Sequence, residues 1–237
     1  MRLDKFISIS AMVTRTEATR LIGSGFVSVE GVRVRNGSMK IDELSSSVEL
    51  NGKRLKYRPF IYVIMNKPEG FVCATEDQKE KTVLDLLTID LRKKQLFPVG
   101  RLDKNTVGLL LLTNNGQLAH RMLAPRSHVE KIYRFKVKFP LSLQDVDALE
   151  SGIRLDDGYF TRTAKISLDP SCTDGTISIV EGKFHQIKRM MEAVNNQIVF
   201  LERIRFGPLA LDPELRRGQW RFLSEQEIDE VELLLKK

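Results

Sequence analysis

The chain has 237 residues, enough for one large domain or a large one with a small one, and its 42% hydrophobic and 29% charged residues can bury an ordinary core. The formal charge of +7 is unevenly spread: residues 1–58 hold 11 Lys+Arg against 6 Asp+Glu, and the rest hold 27 against 25, which suggests a basic module that faces a polyanion, joined to a near-neutral body. Cys73 and Cys172 stand about a hundred residues apart without CxxC spacing, which excludes a cysteine-based metal site and fits a reducing cytosol. His120, His128 and His185 show no ligand spacing. No apolar run approaches membrane-spanning length, and the patch from Phe6 to Val13 is preceded by Asp4, broken by serines and helical in period, so we expect no signal peptide, no membrane partner and a cytoplasmic protein.

In chain order, Leu3, Phe6 and Ile7 share one helical face, and Thr14-Arg15-Thr16-Glu17 reads as a capping box opening a second helix that stops at Gly23 and Gly25. Phe26 to Gly37 is short β alternation cut by glycine turns, and Val48 to Tyr57 reads as a hairpin, because Asn51-Gly52 supplies the positive φ angles of a type I′ turn. Arg2, Lys5, Arg15, Arg20, Arg33 and Arg35 are compatible with one basic face, and Pro59 marks the expected boundary between residues 1–58 and 59–237.

The first of these stretches resembles the small alpha-L RNA-binding motif of the S-four type, with its early Arg2-Leu3-Asp4, a Thr-Arg opening the second helix, and a glycine-flanked Val-x-Val strand. The resemblance implies that Arg2, Lys5, Arg15 and Arg20 contact RNA, and phosphate contacts of this kind position RNA without reading its sequence.

Further on, Ile61 to Asn66 is an apolar strand stopped by Lys67-Pro68-Glu69-Gly70. A helical segment spans Val83 to Leu87. Next comes Val99 to Gly108, a charged cluster between glycines, followed by the apolar tetrad Leu109 to Leu112 that must be buried whichever element holds it. Asp103 lies in that cluster between Arg101 and Lys104, whose charges favour the ionised carboxylate that a nucleophile needs. Gln117 to Leu123 reads as a helix ended by Pro125. Val129 to Phe139 alternates strictly, with Val129, Tyr133, Phe135, Val137 and Phe139 on one face of a half-buried strand. Leu143 to Leu149 gives a helix closed by Gly152, and strands follow through Leu168 and over Thr176 to Val180. Glu181 to Gln186 leads into a helix holding Ile187, Lys188, Arg189, Met190 and Met191. Val199 to Phe206 is a strand with Arg203 and Arg205 opposite Ile204 and Phe206, and Ser224 to Glu227 is a capping box for a helix from Glu225 to Leu235. The body is therefore an α+β domain on a mainly antiparallel mixed sheet with flanking helices.

Lys67 to Gly70, Gly100 to Gly116, Lys131 to Phe135 and Glu181 to Met191 together resemble the successive motifs of the ribosomal small subunit pseudouridine synthase A family, in that family's order. Asn115 stands where the family usually has Asp, and serves a turn equally well. The resemblance implies an enzyme that isomerises a specific uridine in small-subunit ribosomal RNA. Asp103 would be the nucleophile, Tyr133 would pack against the uracil and take part in proton transfer at C5, and Lys188 would pair with Asp103. Arg101 would help extract or replace the flipped uridine, while Leu201 and Lys67 would contact substrate. The carboxylate can attack the ribose C1′ or the uracil C6, or remove a ribose proton, and all three routes stay open. No redox step or group donor is needed, so no cofactor or metal is implied. The partner is small-subunit ribosomal RNA or a partly assembled subunit, and a monomer suits approach to a large RNA. His185 reads as a hydrogen-bonded structural residue without chemistry. Two readings compete: a large-subunit ribosomal RNA pseudouridine synthase, and an inactive RNA-binding assembly protein. A carboxylate-dependent hydrolase is more remote, since no second carboxylate is placed to activate water.

Overall fold

The computed structural model describes residues 1–11 and 13–236; Met12, inside the Phe6 to Val13 patch, and Lys237 lie outside the described residues. The chain divides into two compact units, Met1–Phe60 and Ile61–Lys237, with the division along the chain one residue after Pro59.

In the first unit, helices α1 (Leu3–Ser10) and α2 (Arg15–Gly23) accompany a four-stranded antiparallel sheet of order β2-β1-β3-β4, with β1 Val27–Val29, β2 Val32–Arg33, β3 Val48–Leu50 and β4 Lys53–Arg54. Leu3, Phe6 and Ile7 enter a core with Ala18, Ile22, Val27 and Val48, as their helical spacing requires. The β3–β4 hairpin turns at Asn51 and Gly52 with φ of 54° and 77°. The expected capping box at Thr14 is only half made. Thr14 Oγ1 accepts from the Glu17 backbone N–H at 3.2 Å, but the Glu17 carboxylate is drawn instead to the Arg20 guanidinium one turn on.

The second unit is built on a nine-stranded sheet whose main path runs β13-β5-β7-β11-β8-β10-β9. Its strands are β5 Tyr62–Lys67, β6 Phe97–Pro98, β7 Val107–Thr113, β8 Lys131–Val137, β9 Lys165–Leu168, β10 Asp174–Ile179, β11 Ile198–Phe206, β12 Leu209–Ala210 and β13 Trp220–Phe222. All named pairings are antiparallel except β7 with β11. Its helices are α3 Ile89–Arg92, α4 Gly116–Leu123, α5 Leu143–Ser151, α6 Gln186–Ala193 and α7 Glu225–Glu232.

Sequence pattern explains the difference between the two halves of this sheet. Every residue of β5 and β7 is buried, so these strands are covered on both faces and read as continuous apolar runs. In β8 burial alternates, with Tyr133, Phe135 and Val137 turned to the core beneath α5 and α6 and Arg134 and Lys136 outward. Phe139 does not continue that face: β8 ends at Val137, and Phe139 is exposed. The expected helix at Val83 is a 3₁₀ turn over Val83–Leu86 followed by the short α3, and the last helix passes from α7 into a 3₁₀ turn at Leu233–Lys236. The Ser224–Glu227 capping box is complete. Asn115 is more than a turn residue: its Oδ1 accepts from Leu118 N–H to cap α4, and its amide donates to the Tyr62 hydroxyl at 2.9 Å.

Arg203 departs most from expectation. A register shift between Arg203 and Arg205 breaks the period of two along β11. Arg203 therefore turns inward, 2% exposed, with its guanidinium 4.7 Å from the Phe206 ring centre and its Nε donating to Leu109 O. Gly108 explains how β7 and β11 lie so close: a Cβ there would stand 2.3 Å from the Arg203 carbonyl oxygen, and φ is 101°.

Candidate active site

The end of β5 lies beside the start of β7, with Lys67 opposite Gly108, so the Lys67–Gly70 turn and the loop from Gly100 to Thr106 are neighbours. Lys67 is fully buried. Its three ammonium protons are shared among the backbone carbonyls of Pro68, Asp103, Lys104 and Thr106, at 3.1, 3.0, 3.3 and 2.8 Å. Burial pushes its pKa down, partly offset by Asp103. This corrects the expectation of a substrate contact. Lys67 is spent on the loop backbone and holds Asp103 in place from beneath.

From above, α6 lays Ile187, Met190 and Met191 on the sheet face that carries Tyr133 and Ile177. One turn into this helix, Lys188 reaches the loop, its Nζ lying 2.6 Å from Asp103 Oδ2 and donating to Asn105 Oδ1 at 2.6 Å. The Asp103 carboxylate stays 26% exposed, and Thr106 Oγ1 stands 3.5 Å from its Oδ2. Next to the loop, the Cys73 thiol accepts from the Leu102 N–H at 3.3 Å, and burial pushes its pKa up.

Asp103 opens onto a small, open cleft lined by Arg101, Tyr133, Ile179, His185, Lys188 and Leu201, among others. Tyr133 and Leu201 are buried wall residues, 8% and 5% exposed, whereas Arg101 is exposed at the rim. A planar ring fits against such an apolar wall, with an anion and cations facing it from the loop and from α6. Five of the six residues expected to act on substrate thus meet at one cleft: Arg101, Asp103, Tyr133, Lys188 and Leu201.

His185, read from the sequence as a hydrogen-bonded structural residue, stands beside the carboxylate. Its Nε2 lies 3.5 Å from Asp103 Oδ1, on the side away from Lys188 Nζ, and its backbone is left-handed at φ 50°. Nothing in the local pattern distinguishes it, since its partner is 82 positions earlier in the chain.

In the first unit, Arg2, Lys5, Arg15 and Arg20 are all exposed. Arg2 and Arg15 converge on the buried Asp4 at 2.8 and 3.1 Å, and Arg20 pairs with Glu17. The Arg2 guanidinium, with Arg15 behind it, holds the Asp4 pKa down at about 2. Among the described residues no cluster of His, Cys, Asp and Glu has metal-site geometry, and no helix is long and apolar enough to cross a membrane.

Comparison with known proteins agrees with this geometry. The RNA pseudouridylate synthase family pattern matches residues 61–193, and the S4 domain pattern matches residues 1–43. A Bacillus subtilis protein called an uncharacterized RNA pseudouridine synthase, YtzG, is 42% identical over 96% of this chain and 97% of its own. The ribosomal small subunit pseudouridine synthase A of Escherichia coli K12 is 38% identical over 98% of this chain and all of its own. A crystal structure of a pseudouridylate synthase superposes with a TM-score of 0.69 at 33% identity, covering 98% of this chain and 99% of that one. The chain belongs to the RNA pseudouridine synthase family, isomerases acting on RNA, and carries an N-terminal S4 RNA-binding domain.

Proposed function

We propose that this protein converts one uridine of small-subunit ribosomal RNA to pseudouridine, with Asp103 as the nucleophile. The observation that carries the assignment of Asp103 is the 2.6 Å ion pair to Lys188 at the mouth of a cleft walled by Tyr133 and Leu201. The reaction breaks the bond between N1 and C1′ and forms one between C5 and C1′, and the C5 proton is exchanged for one on N1, so atoms balance without a donor. Asp103 attacks C1′ or C6, or removes a ribose proton. Lys188 orients the carboxylate and balances its charge. Tyr133 packs on the uracil and serves the proton transfer at C5, Leu201 lines the base pocket, and Arg101 at the rim stabilises the extruded uridine or its vacated place. Extrusion costs on the order of a few kcal/mol, recovered by stacking and phosphate contacts.

Residues 1–58 act as the RNA handle through Arg2, Lys5, Arg15 and Arg20, and residues 59–237 as the catalytic body. The enzyme works as a monomer in the cytoplasm. The small-subunit substrate is supported by the names of the Escherichia coli and Vibrio cholerae relatives, the latter 38% identical over 98% of this chain.

The test is pseudouridine mapping by carbodiimide modification and primer extension, on small-subunit RNA and partly assembled subunits, with Asp103→Asn beside the parent. One new stop, absent with Asp103→Asn, is expected. A stop on large-subunit RNA alone would overturn the substrate choice. Binding without product on any RNA would leave an RNA-binding assembly protein.

A further inference from the structure

Beside the Asp103 cleft stands an aromatic side chain that the reaction as described does not use. Phe184 is 65% exposed, and its ring stacks on His185 with centres 3.8 Å apart and planes 17° apart. The other edge of His185 faces Asp103, at 3.5 Å. Lys183 and His185 both line the cleft, but Phe184 between them does not, so it borders the pocket without forming its wall.

The segment that displays Phe184 is firmly held. Lys183 N–H donates to Gln186 Oε1 at 2.9 Å, and Gln186 N–H donates back to Lys183 O at 3.2 Å. The Gln186 amide is itself tied to Glu181 at 2.7 Å, and Arg189, which is paired with Asp156 and Asp157, donates to Phe184 O. A rigid turn thus presents a large apolar ring to water next to the reacting carboxylate. No core contact accounts for that exposure. Cations at Arg101 and Lys183 stand at the same rim, which suits a phosphate backbone passing across it.

We propose that Phe184, stacked on His185 at the rim of the cleft, is the stacking platform for an unpaired nucleobase next in the RNA to the uridine that enters the cleft. The inference rests on the proposed uridine chemistry at Asp103, and adds a second nucleotide subsite. Every base has a π-face, so the platform contributes affinity and register without selecting one base. It also compensates extrusion, because a neighbour that loses its stacking partner when the uridine swings out gains the Phe184 ring in exchange.

The experiment combines protein and RNA changes. Binding of an end-labelled synthetic single-stranded RNA with one uridine is followed by fluorescence anisotropy for the parent, Phe184→Ala, Phe184→Leu and Phe184→Trp, with the nucleotide on either side of the uridine intact or abasic. Isomerisation by the parent and Phe184→Ala is read in parallel on transcribed small-subunit RNA. Phe184→Ala and Phe184→Leu are expected to bind roughly 5- to 100-fold more weakly, as for loss of one base–aromatic stack. Phe184→Trp should stay near the parent, and an abasic neighbour on one side should weaken the parent but not Phe184→Ala. On the transcript, KM should rise in Phe184→Ala with kcat little changed. Equal binding by parent and Phe184→Ala, full binding by Phe184→Leu, or equal abasic losses in both proteins would overturn the platform. Phe184-dependent stacking without isomerisation by the parent would sink free small-subunit RNA as the substrate and keep the platform. Isomerisation indifferent to Phe184 would do the reverse.

Discussion

Replacing Lys188 by Met removes a charge while keeping most of the side chain's bulk on α6. At the 2.6 Å separation from Asp103 Oδ2, two unit charges attract by about 6 kcal/mol at an effective dielectric of about 20 and by about 1.6 kcal/mol in bulk water. Lys188 and Asp103 side chains are 17% and 26% exposed, so the pair lies between those limits. A net loss of about 3 kcal/mol is reasonable, inside the range of ~2 to 5 kcal/mol for truncating one partner of a hydrogen-bonded charge pair. If Asp103 must be held in this orientation to react, that loss corresponds to roughly a 100-fold fall in kcat. The assay is single-turnover pseudouridine formation with enzyme in excess, beside RNA affinity and a thermal unfolding curve. RNA affinity should change little, and the unfolding free energy should fall by no more than the ~3 kcal/mol of the lost pair, because the lost contacts are to Asp103 and Asn105 at the cleft mouth and not to the core. Turnover within a few-fold of the parent would refute the reasoning and reduce Lys188 to a helix charge that happens to lie near a carboxylate.

Other perturbations separate neighbouring roles. Lys67→Met leaves the carbonyls of Pro68, Asp103, Lys104 and Thr106 without their shared donor, and should lower unfolding free energy by about 2 to 4 kcal/mol in denaturant titration as well as slowing turnover. Gly108→Ala places a Cβ 2.3 Å from a backbone oxygen at φ 101°, so it should cost at least about 3 kcal/mol by the same titration, or yield no folded protein. Asp4, with its pKa lowered from 3.8 to about 2, contributes stability that is complete above the unfolded value and lost as pH falls through the folded one. Asp4→Asn should therefore weaken amide-exchange protection in α1 and α2 by on the order of 1 to 2 kcal/mol at pH 7, with the gap to the parent closing between pH of about 4 and 2. Deleting residues 1–58 should leave a folded body that binds RNA more weakly, and the slope of log affinity against log salt should fall by roughly 0.7 to 0.9 per phosphate contact removed.

What was legible in the sequence was local or periodic. The Leu109 to Leu112 tetrad had to be buried, and it lies in the fully buried strand β7. Asn51-Gly52 and Ser224 to Glu227 carry their turn and cap chemistry within a few residues, and both form. The same local rule overreached at Thr14, because Glu17 has a cation one turn along and takes it in preference to the cap. Arg203 misled because an irregularity in the β8–β11 ladder changes which side a residue faces, and no composition signal marks it. The resemblance gave Lys67 a substrate contact, and only the loop some forty residues later reveals three carbonyls gathered on its ammonium. The partner of His185 was hidden for the same reason, since its meeting with Asp103 exists only after α6 has folded back over the sheet.

That dispersal has a consequence for how the protein becomes active. Lys67, Asp103, Tyr133, Lys188 and Leu201 come from five segments, and their meeting requires the β5–β7, β7–β11, β11–β8 and β10–β8 pairings together. The β7–β11 pair is parallel and joins positions nearly a hundred residues apart. Loop-closure entropy must be met before such pairings are rewarded, which makes them intrinsically slow to form. The RNA-binding unit, by contrast, completes its core within its first 60 residues. Asp103 held between Lys188 and His185 therefore exists only in the finished sheet, although its loop is nearly contiguous in sequence.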